Sequence, residues 1–227
     1  MSQPRVPFKN LSGPVPPFPL ARGGAALLIL DVHRFTADPS AGYGRLAAER
    51  GIQHELAEYY EQLQQALSHL ERLVQGCRQH GVPVLFTRLV ADRRRGDDGV
   101  SPQARVTGFW TSGDSPEAAF LPRLTPAPGE DVIDKTAISA LGAPETEAAL
   151  GRRGVRYLIL AGVSANGAVE HTARDAGDRG YGVVIVSDAC AADTWALHTH
   201  VMTTLAGGLI RVRNTQAVLE MLDGART

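Results

Sequence analysis

The chain has 227 residues, 44% apolar and 21% charged, and a formal net charge of −1 at pH 7. This is the balance of a globular domain with chain enough for a full core, and it gives no electrostatic footing for nucleic acid or an anionic membrane as partner. Its two cysteines, Cys77 and Cys190, are too few and too far apart for a disulfide scaffold, and they point to reduced thiols in a cytoplasmic protein.

Residues 1–24 are proline-rich and lack the apolar stretch of a signal peptide, so they predict an extended arm ahead of a single domain over 25–227. No apolar run is long enough to span a bilayer. Ala25 to Asp31 (AALLILD) is a short continuous apolar run ending in an acid, the pattern of a strand buried on both faces. From Gln53 to His80, Leu56, Tyr60, Leu63, Leu67, Leu70, Val74 and Cys77 recur at three- and four-residue steps, which predicts a long amphipathic helix closed by Gly81. Val82 to Val90 is the next strand. Ala91 to Pro128, rich in Gly, Pro, Asp and Arg, is a long excursion with a helical turn near Pro116 to Phe120, and loops of that length are usually functional. Strands then follow at Asp131 to Asp134, Arg156 to Ala161, Gly182 to Ser187 and Leu209 to Val212. Helices alternate with them at Pro144 to Arg153, Asn166 to Arg179, Trp195 to Leu205, and from a cap at Asn214 or Thr215 to Leu222. The alternation specifies an α/β fold: a mostly parallel six-stranded sheet with helices on both faces, a Rossmann-like three-layer sandwich.

In such sheets ligands sit outside the carboxyl ends of the strands. Asp31 ends the first strand, Lys135 follows the DVID strand, and the turn Gly162-Val163-Ser164-Ala165-Asn166-Gly167-Ala168 leads from a strand into a helix. A helix start aims N–H groups and the positive end of a dipole at one spot. A thiol there would have a lowered pKa and attack carbonyl carbon. A carboxylate beside an ammonium could take its proton, and the N–H groups could hold the oxyanion of a tetrahedral intermediate. Position 168, where that nucleophile belongs, is alanine.

Four pieces carry a resemblance to a known family: LLILDVHRF (Leu27 to Phe35), VIDKTAISAL (Val132 to Leu141), the run from Leu158 to Ala192, and His198 with the LIRV strand after it. Over Ala25 to Leu222 the chain resembles the isochorismatase-like cysteine hydrolases. The resemblance implies a catalytic set of Asp31, Lys135 and position 168, and a cis peptide between Val163 and Ser164. It also implies an oxyanion hole from the N–H groups of Ser164 or Ala165 and of Ala168. A small amide or ureide as substrate and a homo-oligomer, dimer or tetramer, are implied likewise. The chain departs from the family at His33, where Gln is usual, at Ala165, where Thr is common, and at Ala168, where the Cys is missing. Three readings of Ala168 stand: a replaced nucleophile, a branch that hydrolyses a vinyl ether without a thiol using Asp31 as acid, and a relative that only binds. The flanking Val169-Glu170, the run Thr172 to Ala176 and Asp188-Ala189 favour the first.

Substrate contacts are expected from His33 and Phe35 beside Asp31, from Ser164 and Ala165, from Arg88 at the end of the second strand, where it could meet a carboxylate, and from Phe109-Trp110 in the excursion. Tyr43 and Trp195 are weaker candidates. Gly162-Val163-Ser164-Ala165-Asn166 approaches the serine-hydrolase elbow, with Asp188 or Asp193 and then His198 in order, but Asn166 stands where that elbow needs a small residue. His198 and His200, two apart on a helix, face different sides, so no metal site is expected. No cofactor follows from the sequence. Arg93-Arg94-Arg95 with Asp97-Asp98 reads as a solvated, self-compensating loop.

Overall fold

In the computed structural model, which describes residues 18–20, 23–91 and 99–224, the run AALLIL forms the central strand. This is β1 (Ala25–Leu30), with all six residues buried. Its companions are β2 (Val84–Leu89), β3 (Asp131–Lys135), β4 (Tyr157–Val163), β5 (Gly182–Ala191) and β6 (Ile210–Arg213). They make one sheet of order β3-β2-β1-β4-β5-β6, and every pairing is parallel. The sheet is therefore wholly rather than mostly parallel. Every connection is a crossover long enough to return the chain to the same end of the sheet.

Side chains of β1 alternate between two cores, as the two-residue strand period requires. Leu27 and Ile29 meet Leu63, Leu70 and Val74 of α3 (Ala57–Gln79) and Val218 and Leu222 of α8 (Thr215–Gly224). Ala26, Leu28 and Leu30 face the cluster that holds Leu150 of α5 (Pro144–Arg152), Ala173 and Ala176 of α6 (Glu170–Asp178) and Val201 of α7 (Trp195–Thr204). Full burial of each such aliphatic side chain contributes about 1.5–3 kcal/mol, so a polar residue at Leu28 or Ile29 would break one of the two layers.

The apolar stripe of α3 starts on Tyr59, not Tyr60. Gln53–Leu56 is a 3₁₀ turn, whose tighter winding shifts the phase before the α-helix begins. Three short helices were not anticipated: α1 (Arg34–Ala37), α2 (Gly42–Glu49) and α4 (Pro102–Thr107). The signals for α4 are local. The Ser101 hydroxyl accepts from the Ala104 N–H, Pro102 takes the first helical position, and Gly108 closes the helix at φ 73°. The expected arm falls mostly outside the described residues, as does the Arg93-Arg94-Arg95 run with Asp97-Asp98. Its end does not trail free: Phe18 and Leu20 are buried. Phe18 packs on the Tyr157 ring, with centroids 5.5 Å apart, under the Arg211 guanidinium.

From β1 the chain builds outward through β2 to β3, then returns to start β4 on the other side of β1. The crossovers diverge at the carboxyl ends of β1 and β4, which opens a crevice there.

Candidate active site

A cavity of about 160 Å³ fills that crevice, and Asp31, Lys135, Ser164 and Ala168 all line it. Three remote stretches of sequence thus meet at one space. Asp31 follows β1 directly and holds a left-handed backbone, φ 56°, a conformation that costs a non-glycine residue about 1 kcal/mol or more. The surroundings fix it. The Asp31 N–H donates to the Thr87 carbonyl at 3.2 Å, and the Thr36 hydroxyl donates to the Asp31 carbonyl.

The Asp31 carboxylate is held at both oxygens. Oδ1 accepts from the Thr87 hydroxyl at 2.6 Å, and Oδ2 lies 2.7 Å from Lys135 Nζ. Lys135 ends β3, two strands away, and its side chain reaches past the end of β2. Its Nζ also donates to the carbonyls of Ala137 at 3.0 Å and Ile138 at 2.9 Å, so all three ammonium protons are used. The side chains of Lys135 and Asp31 are 0% and 5% exposed. Burying two charges is costly unless each is fully paired, and here each is. The result is a charge-balanced carboxylate at the wall of a cavity, with the geometry of a proton acceptor.

The third wall comes from the end of β4. Gly162 has φ +127°, and a Cβ there would lie 2.2 Å from the Leu30 carbonyl oxygen, so only glycine lets β4 pass so close to β1. The Val163–Ser164 peptide is cis. Ala165–Val169 then winds as a π turn into α6, where a plain α-helix was expected from Asn166. π turns recur at functional sites, and the first turn of a helix leaves N–H groups without partners inside it. Asn166 ties this turn to the end of β5: its amide donates to Asp193 Oδ2 at 2.8 Å, and the Asp193 N–H donates back to Asn166 Oδ1 at 3.2 Å. Ala168 is 5% exposed.

Several residues expected near the substrate stand elsewhere. His33 is fully buried and off the cavity. Its Nε2 accepts the Leu89 N–H at 3.3 Å, which leaves the ring proton on Nδ1 for the Glu117 carbonyl. Burial lowers its pKa, against the opposing pull of the Asp31 carboxylate. Arg88 is also diverted. Thr87 turns toward Asp31, so the strand period turns Arg88 away. Its guanidinium grips Asp134 at 2.7 and 2.8 Å and the Ala118 carbonyl at 3.1 Å, over the Phe120 ring. Phe35 is buried behind Tyr43, with ring centroids 5.1 Å apart, and the Ala165 side chain belongs to the core. Phe109 does line the cavity, its ring tilted against Tyr43 with centroids 5.3 Å apart, while Trp110 sits at a smaller neighbouring one and Trp195 is on the surface of α7. Tyr59, Ile138 and Thr36 complete walls that sequence reasoning passed over. Thr87 has a signal, a hydroxyl in a strand that is apolar but for it and Arg88.

A larger outer opening of about 590 Å³ shares Tyr43, Tyr59, Phe109 and Ser164 with the cavity and adds Arg50, Glu55, His171 and Asp193. The serine relay is not assembled. Asp188 Oδ1 accepts from the N–H and hydroxyl of Thr215, and the His198 Nε2 faces the Ser187 carbonyl at 2.9 Å. Among the described residues no three His, Cys, Asp or Glu side chains cluster as metal ligands would, and no helix is long and apolar enough to cross a membrane.

Comparison with known proteins bears on this arrangement. The Isochorismatase domain model matches residues 25–217. The uncharacterized isochorismatase family protein YwoC of Bacillus subtilis is 26% identical over 164 residues, 71% of this chain and 86% of that protein. The N-carbamoylsarcosine amidase of an Arthrobacter species is 32% identical over 127 residues, 52% of this chain and 47% of the amidase, so the match spans about half of that enzyme. In three dimensions a cysteine hydrolase from Pseudomonas syringae pv. phaseolicola superposes with a TM-score of 0.75 at 21% identity, covering 94% of this chain and 99% of that one.

Proposed function

The chain belongs to the isochorismatase family of hydrolases, and on that premise we propose that its site is built to hydrolyse a C–N bond in a small amide or ureide, with position 168 as the place of the nucleophile. The observation that carries this reading is the Asp31–Lys135 pair sharing one cavity with the start of the helix that holds residue 168. Similarity to an N-carbamoylsarcosine amidase supports the choice of bond.

With cysteine at 168, Asp31 takes the thiol proton and the thiolate attacks the carbonyl carbon. The N–H groups of Ser164 or Ala165 and of residue 168 hold the oxyanion. The C–N bond breaks as Asp31 returns its proton to the leaving nitrogen. Asp31 then accepts a proton from water, which cleaves the thioester and restores the thiol. Lys135 balances charge throughout. No cofactor enters this chemistry. A methyl group forms no thioester, so the chain with Ala168 is inactive by this route. A homo-oligomer and a cytoplasmic setting belong to the same reading.

The test is ammonia release from simple amides by Ala168→Cys beside the alanine form, with mass spectrometry for the acyl-enzyme. Activity in the cysteine form alone supports the proposal. Ala168 itself favours a second reading, thiol-free hydrolysis of a vinyl ether with Asp31 as acid. Turnover of such an ether by the alanine form would establish that reading instead. Binding of a metabolite with no turnover by either form would leave a binder.

A further inference from the structure

We infer that the inner cavity selects an amide whose non-reacting end carries no charge. The inference rests on the amidase reading of the site and adds the substrate class to it. Lys135, Arg88 and the His33 ring are the basic groups gathered around Asp31 and its neighbour, and each is already committed. Lys135 spends its three protons on Asp31, Ala137 and Ile138. Arg88 is closed by Asp134 on both its Nε and an Nη, with the Ala118 carbonyl on its other Nη. His33 is bonded at both ring nitrogens, and its acceptor role toward the Leu89 N–H requires the neutral ring.

Among the described residues that line the cavity, Asp31 and Lys135 are the only charged ones, and Tyr43, Tyr59, Phe109, Leu89 and Ile138 supply aromatic and aliphatic surface beside serine and threonine residues. A substrate anion would lose its hydration, find no uncommitted cation among the described residues that line the cavity, and lie near the Asp31 carboxylate. An uncharged aliphatic or aromatic group would instead bury apolar surface against those walls. Arg50 and His171 line the outer opening rather than the cavity.

The test uses the protein with Ala168, which has no thiol with which to turn an amide over. Calorimetric titration compares 4-methylpentanamide with succinamate, a pair of amides of matched shape in which an isopropyl group replaces a carboxylate. The neutral amide should bind about tenfold tighter or more. Equal or tighter binding of succinamate overturns the inference, and so does failure of both to bind. Turnover of the same two amides by Ala168→Cys separates this from the parent reading. If the neutral amide binds and the cysteine form leaves it intact, the selectivity stands and the amidase proposal falls. If the cysteine form prefers succinamate, the amidase proposal stands and the selectivity falls.

Discussion

Lys135→Met removes the ammonium from a pair whose members are 0% and 5% exposed and 2.7 Å apart. Asp31 keeps the Thr87 hydroxyl but loses its counter-charge, and the Ala137 and Ile138 carbonyls lose their donor. Breaking a buried pair from one side typically costs roughly 3–5 kcal/mol. The orphaned carbonyls are part of the same loss, so about 4 kcal/mol is expected from a domain whose whole stability is of order 5–15 kcal/mol. Adding Asp31→Asn removes the stranded charge, and asparagine tolerates the left-handed backbone at that position. The double variant should therefore recover a large part of the loss. Urea titration of the four proteins of this cycle measures the coupling. A cost under about 1 kcal/mol for Lys135→Met, or a double variant as unstable as the sum of the singles, would refute the reasoning.

Burial lowers the His33 pKa below its ordinary 6.5, with Asp31 pulling the other way. Below about pH 6.5 the unfolded chain gains a proton that the folded chain refuses, so stability falls with pH until the folded ring also protonates. Thermal melts at about pH 7.5 and about pH 5.5 should differ less in His33→Gln than in the parent; equal differences would contradict this. Burial pushes the Cys77 and Cys190 thiols up to about 12, so neither should react with an aromatic disulfide reagent until urea unfolds the chain. Reaction of either in the native protein would contradict that burial. Gly162→Ala drives a Cβ to 2.2 Å from a backbone oxygen at φ +127° and should cost more than about 3 kcal/mol; an unchanged Tm would show that β1 and β4 do not approach so closely.

Much of this arrangement is legible in the sequence because it follows from local rules. The strand AALLIL announces burial on both faces, and the residues at the ends of β1, β3 and β4 fall at the sheet's carboxyl edge once the alternation of elements is read. What escaped depends on neighbours remote in sequence. The fate of Arg88 turns on Asp134 in the adjacent strand, a register no single strand reveals. His33 is claimed by Leu89 and Glu117, which lie 56 and 84 positions away. The helix α2 holds two glycines that weaken any helical signal in the sequence; Gly42 and Gly44 are required by close approach to the Phe35 and Pro39 backbone. The π turn at Ala165–Val169 differs from an α-helix by one residue per turn, which side-chain periodicity over five residues cannot register.

In the proposed function Asp31 is the proton carrier for whatever stands at position 168. The most direct measurement compares single-turnover amide hydrolysis by Ala168→Cys with that by Ala168→Cys/Asp31→Asn, both confirmed folded by their melts. Loss of the carboxylate should slow the reaction by about a hundred- to ten-thousand-fold. Equal rates in the two proteins would contradict it.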